Sequence, residues 1–395
     1  MSALRDFSVL EIGDSTGTEY AGKLLADLGA RVVKMEPPGG ARSRQLPPFY
    51  RDEEGPDNSI HFWYYNTSKD SVILDTDTGE GKDSLRRLID RVDAVIDGGA
   101  VSLRETIDRM ELDFDPLAGK VVCRVTEFGS EGPWTDYLAS DLAHLALGGI
   151  MASCGYDEPD ATPIGPSGGQ SHHITGVNIA MAVLAGLLGK QAGESTPGMD
   201  ISAHDCVTMA TEMSFAYGEY QDVTPNRQAG RHARPYATSP WNHRCLDGKY
   251  INCLPLYLTD DRFAAMLEWF DSHGLAGDLA DPRYATRDQR TQLLDDVIAV
   301  IGRFCAHFDS DYIFHEAQSR RLPWAPVNWT WDLVEDPHFV ARGAFARVTH
   351  EGVGSDFSYP GAPYLFSRTP WRISHPAPAL PAGPSGSLGK ERIHG

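Results

Sequence analysis

Two adjacent histidines, His172 and His173, stand in Ser171-His-His-Ile-Thr-Gly176, directly before the apolar run at residues 177–188. Such a run reads as a buried helix, which places both imidazoles at its first turn. The positive end of a helix dipole disfavours imidazolium, so His172 is expected to be neutral. A neutral imidazole is a competent general base or hydrogen-bond donor. The competing role is structural, with His172 capping the helix and filling the space beside it. A metal pair does not fit, because adjacent side chains point apart and no third ligand has suitable spacing. No carboxylate lies between Ala161 and Glu194, so nothing acidic shares this helix start.

The elements that must position these residues alternate. Residues 7–12 read as a strand, 13–18 as a turn, 19–28 as a helix ending at Gly29, and 30–36 as a second strand. Further strands are expected at 71–74, 94–96 and 121–125, with a helix at 79–92. The pattern predicts a parallel sheet covered by helices, with its ligand loop at the carboxyl end of the first strand. Gly13-x-x-x-Gly17 lacks both G-x-G-x-x-G and GK[ST], so neither a dinucleotide nor a nucleoside-triphosphate site is expected. After about residue 225 the character changes. Residues 225–240 read as a linker and 241–335 as a smaller domain, with a strand at 248–254 and helices at 260–270 and 289–308. A return to the large domain follows at 336–375, and 376–395 reads as an extended tail. The first large-domain segment is thus 1–224.

Composition narrows the function. Thirty-five Lys and Arg against 55 Asp and Glu leave a net charge of −20 over 395 residues. General nucleic-acid binding is not expected, and an anionic ligand must meet a local basic patch. Six cysteines without a C-x-x-C pair argue against zinc ribbons and disulfide frameworks. With no basic-then-apolar leader at Met1 and an apolar run short of a membrane span, a cytoplasmic location without membrane contact is expected.

Several blocks resemble the family III CoA-transferases: ADLGARVVKMEPPGGARSR (26–44), YYNTSKDSVILDTDTGEGK (64–82), TEFGSEGPWTDYLASDLAHLALGGIMASCG (126–155), PGMDISAHDCV (197–207), LADPRYATRDQR (279–290), RLPWAPVNWTWDLVEDPHFVARGAF (321–345) and YPGAPYLFSRTP (359–370). They run in the family's order over nearly the whole chain. The resemblance implies a large α/β domain plus a small α+β domain, in a dimer whose chains pass through each other as interlocked rings. It implies coenzyme A or acyl-CoA as substrate, with no metal. It also implies an aspartate at the start of the apolar helix that carries the acyl group and then CoA through covalent intermediates.

In this chain that aspartate position falls on His172. The family's Asn-Phe-Arg-Pro-Gly loop, which helps hold the adenosine end of CoA, has become Gly98-Gly-Ala-Val-Ser102. Pro37 replaces a frequent arginine. Where the family's racemases carry a histidine base, the chain reads Ala139-Ser-Asp141. Lys69, in Asn66-x-x-Lys, is expected near the CoA phosphates by resemblance, as are Arg42, Arg44 and Arg109, since Lys and Arg give phosphate charge-assisted hydrogen bonds. The leading expectation is the aspartate-lacking subunit of a heteromeric CoA-transferase, partnered by a homologous family III chain, or by itself in a homodimer. The alternative is a stand-alone acyl-CoA lyase, hydratase or hydrolase using His172 as base. A structural or regulatory protein is the third possibility.

Overall fold

Ser15, Ser59, Thr78, Ser102, Ser140 and Ser202 each accept a hydrogen bond from the backbone N–H three residues on, and each opens a helix. In this computed structural model the described residues are 2–100, 102–110, 112–158, 160–195, 198–254 and 259–381. They fall into two compact units. The first comprises 1–150, 166–211 and 334 onward, and the second 151–165 and 212–333.

The first unit holds strands β1 (Ser8–Ile12), β2 (Arg31–Glu36), β3 (Asp70–Ile73), β4 (Ala94–Asp97), β5 (Val121–Thr126) and β6 (Met199–Ser202). All pair in parallel, in the order β3-β2-β1-β4-β5-β6. The order reverses between β1 and β4, which is where open α/β sheets leave a ligand crevice. Its helices are α1 (Thr16–Asp27), α2 (Ile60–Tyr65), α3 (Gly79–Asp90), α4 (Leu103–Asp108), α5 (Asp141–Leu147), α6 (Ile150–Ser153, shared with the second unit), α7 (Gln170–Gln191) and α8 (Ala203–Met209). One core lies on each face of the sheet. Val9, Val32 and Ile96 pack with Ala21, Leu25, Ile179, Val183 and Leu187 on one side; Leu10, Val33 and Val95 pack with Leu85, Leu88 and Ile89 on the other. The expected parallel sheet covered by helices is therefore present, with β1 to β5 each within a residue or two of its expected place and β6 added at the edge.

The apolar run is longer than expected. α7 has 22 residues and is long and apolar enough to cross a membrane, yet its Ile179, Val183 and Leu187 stripe is buried in the sheet core. It lies close to α1 because Gly176 faces the Gly17 carbonyl. A Cβ at Gly176 would stand 2.8 Å from that oxygen and 2.9 Å from the Tyr20 ring. Gly176→Ala should therefore lower stability by about 1–3 kcal/mol, as overpacking does, which a urea melt would read. An unchanged midpoint would show that the two helices separate freely.

The second unit contains α9 (Glu212–Gln221), β7 (Asn242–Arg244), β8 (Tyr250–Asn252), α10 (Asp260–Ser272), α11 (Arg287–Gln292), α12 (Leu294–Cys305), α13 (Ser310–Ser319) and β9 (Ala325–Pro326). The strands form an antiparallel sheet, β7-β8-β9, over a core of Trp269, Phe270, Phe304 and Trp324. The single helix expected over 289–308 is two. Leu293, at φ −108° and ψ 28°, ends one and opens the other. Residues 225–240, expected as a linker, are folded inside this unit. Gln228 accepts from the N–H and hydroxyl of Thr238 at 2.8 and 2.7 Å, and Arg231 pairs with Asp157. The chain changes unit instead at 211/212 and 333/334 and around the insertion 151–165. It returns to the first unit through α14 (Pro337–Ala341) and a hairpin of β10 (Phe345–His350) and β11 (Ser355–Pro360). Of the expected tail, 376–381 lie along the first unit, where Leu380 donates its N–H to Asp57 at 2.6 Å. The remainder of that expectation lies outside the described residues.

Candidate functional site

His172 and His173 sit on the first turn of α7, both half-buried. The residue before that helix, Gly169, is left-handed and supplies no side-chain cap. The cap comes from another helix: Asp141, the first residue of α5, accepts from the Ser171 N–H at 3.0 Å and the Ser171 hydroxyl at 2.7 Å. A carboxylate thus reaches the N-terminus of α7 from α5, where it suits the dipole. One turn on from Asp141, the buried His144 holds Glu127 at 2.6 Å. Glu127 immediately follows β5, at the carboxyl end of the sheet.

His173 turns the other way. Its Nε2 is 2.9 Å from the Tyr65 hydroxyl, and its ring meets Tyr20 edge-on at 4.7 Å. His61 completes this side, with Nε2 at 3.3 Å from the Thr16 hydroxyl. Burial lowers the pKa of His172 below its ordinary value, against the opposing charges of Asp141 and Glu127. Burial acts the same way on His173 and His61. Desolvation thus favours the neutral imidazole, the direction expected from the helix dipole. The sign follows: when the native pKa lies below the unfolded one, the unfolded chain binds protons first as pH falls. Stability should be fully present above about pH 6.5 and decline below it. Urea midpoints at pH 7.5 and 5.5 would show this, with a shallower decline in His172→Gln. A rising midpoint at pH 5.5 would contradict it.

A cavity of about 330 Å³ opens at the carboxyl ends of β1, β2 and β4, lined by Ile12, Asp14, Met35, Leu74 and Leu103 among others. Gly13 makes its rim, at φ +100°, with the Gly98 carbonyl only 2.5 Å from where a Cβ would stand. No side chain but glycine's fits there. The loop at Gly13 leads into α1, whose Gly17 lies against the His172 backbone. One continuous strand-to-helix turn thus joins the cavity to the histidines.

The expected phosphate-binding cations are placed differently from one another. Lys69 is fully buried. Its ammonium is 2.7 Å from Glu11 and donates to Asn66 Oδ1 and the Glu19 carbonyl, each at 2.8 Å. Arg44 is nearly as buried, with Nε and Nη2 each 2.7 Å from Glu36 and Nη1 donating to the Pro56 carbonyl and Asp57. Both spend their donors on internal partners here, which does not favour the expected contact with CoA phosphates. The charges they neutralise are inside the protein. Arg42 is exposed, and its backbone N–H bonds Asp14 on the cavity wall at 3.1 Å. Arg109 is exposed at the end of α4, 3.8 Å from Glu105.

Asp141, His144, Glu127, His61 and Tyr65 were missed as site residues. The signal for the first two was present, since Asp141 and His144 are three apart on one helix face. Among the described residues no cluster of three or more His, Cys, Asp or Glu is arranged to hold a metal ion.

The family model of CoA-transferase family III matches residues 4–383. The chain is 24% identical to a subunit, BbsE, of succinyl-CoA:(R)-benzylsuccinate CoA-transferase from Thauera aromatica, over 95% of this chain and 92% of that one. It is 26% identical to a succinate–glutarate CoA-transferase from Agrobacterium fabrum, over 95% and 92%. It is 25% identical to the alpha subunit of a succinyl-CoA–L-malate CoA-transferase from Chloroflexus aurantiacus, over 95% and 86%. In fold it is similar to a CaiB/BaiF family protein from Brucella suis, with a TM-score of 0.79, 24% identity and 96% of each chain covered.

Proposed function

We propose that this chain, which belongs to CoA-transferase family III, is the subunit of a heteromeric CoA-transferase that holds an acyl-CoA while a homologous chain supplies the nucleophilic carboxylate. The observation that carries the reading is the first turn of α7. By the family resemblance the acyl-carrying aspartate would fall on this turn, where the chain carries His172 and His173; Asp141, which reaches the same turn, caps it through Ser171. A mixed anhydride needs a carboxylate free to attack the thioester carbonyl and expel the CoA thiolate. His172, half-buried and with its pKa lowered by desolvation, can donate to a thioester carbonyl or take a proton, but it cannot form that anhydride.

Two further observations support a partner. BbsE and the malate enzyme's alpha chain are named as subunits of CoA-transferases. Val177 and Met181 near the start of α7, Leu142 and Leu147 of α5, and Leu138, which is 94% exposed, leave apolar side chains uncovered. Apolar surface of that kind marks an interaction face. In this reading the cavity at the switch between β1 and β4 takes the nucleoside end of CoA, with Arg42 at its rim. Binding is weaker than is usual for the family, because the loop from Gly98 offers no arginine or aromatic ring. The interlocked assembly predicts that no stable monomer persists. Light scattering at micromolar concentration should give a heterodimer when an aspartate-bearing homologue is co-expressed and a homodimer otherwise. A stable monomer would contradict the assembly. A homodimer that refuses the homologue would favour the second reading, a stand-alone acyl-CoA lyase, hydratase or hydrolase with His172 as base, which the lowered His172 pKa specifically supports.

A further inference from the structure

Glu127 and the rings around it have no part in the function proposed above. The Glu127 side chain is 44% exposed. One oxygen is held by His144; the other has no hydrogen-bond partner among the described residues. Next to it, the Phe128 ring stands 5.6 Å from Trp134, 5.5 Å from His144 and 5.3 Å from His204. Trp134 stacks on Tyr137 at 6.2 Å and 16°. Trp134 and Tyr137 are exposed by 41% and 58%, while His144 is almost fully buried. A carboxylate with a free oxygen therefore borders an aromatic surface. A chain of short contacts links this patch to the reacting end of the site: Ser171, next to His172, bonds Asp141, and Asp141 shares a helix face with His144, which bonds Glu127.

We propose that Glu127 and this ring wall form the acyl-group subsite, selecting a CoA thioester whose acyl chain carries a hydrogen-bond donor, hydroxyl or ammonium, over one ending in a second carboxylate. The inference rests on the acyl-CoA reading. Its physical basis is that the free Glu127 oxygen can only accept. A hydroxyl or ammonium pairs with it, an alkyl chain leaves it unpaired, and a carboxylate meets it as a like charge. The rings supply apolar contact to any acyl chain and further attraction to a cation. His144 is a positioning residue: it fixes one Glu127 oxygen and so aims the other.

Calorimetry on the full chain with butyryl-CoA, 3-hydroxybutyryl-CoA, β-alanyl-CoA and succinyl-CoA tests this. The hydroxyl and ammonium thioesters should bind at least about tenfold tighter than butyryl-CoA, the scale of one hydrogen bond to a charged group. Succinyl-CoA should bind weakest. Glu127→Gln, whose amide oxygen can still accept from His144, should lose most of the ammonium preference and relieve the succinyl penalty. Trp134→Ala should weaken all four together. A gain confined to β-alanyl-CoA or to the hydroxyacyl thioester supports the proposal and identifies the donor as cation or hydroxyl. Four equal affinities in the wild type would leave the acyl-CoA reading standing and overturn this subsite, as would succinyl-CoA binding tightest. Absence of binding by all four would overturn the acyl-CoA reading and the subsite with it.

Discussion

Lys69→Ala should cost about 3–5 kcal/mol of stability, the range found when one partner of a buried ion pair is removed. Lys69, Lys34, Glu11 and Glu19 are each fully buried, and they form one neutralised cluster beneath the Gly13 loop. Lys34 reaches Glu11 at 3.0 Å and Glu19 at 2.9 Å; Lys69 reaches the other Glu11 oxygen at 2.7 Å. Burial lowers the Lys69 pKa although Glu11 opposes it, so this ammonium depends on its partner. With Lys69 gone, two carboxylates share the single charge of Lys34 in a medium that penalises the excess. Lys69→Met should be nearly as costly, because it restores volume but not charge. Exposed Arg42→Ala should change stability by less than about 0.5 kcal/mol while weakening CoA binding. Guanidinium melts of the three variants check this. A Lys69→Ala protein as stable as wild type, with lost CoA affinity, would return Lys69 to the ligand site.

Transfer activity should appear only in the heteromer. The chain alone should show no CoA transfer between an acyl-CoA and a free acid. Co-expression with an aspartate-bearing family member from the same genome should restore it. Changing the partner's aspartate to alanine should then reduce the rate by about four orders of magnitude or more, the scale of losing a covalent nucleophile. His172→Ala in this chain should leave the anhydride step intact and alter only what the imidazole contributes to binding or proton transfer. His172→Asp in the chain alone should recover a trace at most. The new carboxylate would face Asp141 and Glu127, both of which act electrostatically on position 172, and the loop from Gly98 remains altered. Full activity of the chain alone would defeat the heteromer.

The sheet was legible because each parallel strand is a short apolar run bounded by glycine or by a capping hydroxyl, and both signals are local. The break at Leu293 was not, since 289–308 keeps a continuous apolar spacing while the backbone turns within one residue. Residues 225–240 looked like a linker by composition. Their polar side chains instead bond one another and Asp157, a partner about 70 positions away that no local pattern announces. The site divided the same way. The histidines at the start of α7 were visible from helix periodicity. The internal partners of Lys69 and Arg44 were not legible, because a lysine or arginine looks the same in sequence whether its counter-charge is a phosphate or a buried glutamate. Glu11 and Glu36 lie on strands where alternation with apolar neighbours suggests outward-facing residues. Glu127 escaped notice because its meaning depends on His144, brought to it by the packing of α5 against α7 and α8.

The most direct test of the central claim is intact-mass analysis of both chains after incubation with an acyl-CoA and trapping with hydroxylamine or borohydride. This chain should remain unmodified, alone or in complex, and the hydroxamate or reduced adduct should map to the partner's aspartate. A trapped adduct on this chain, at the first turn of α7 or at any of its own carboxylates, would contradict it.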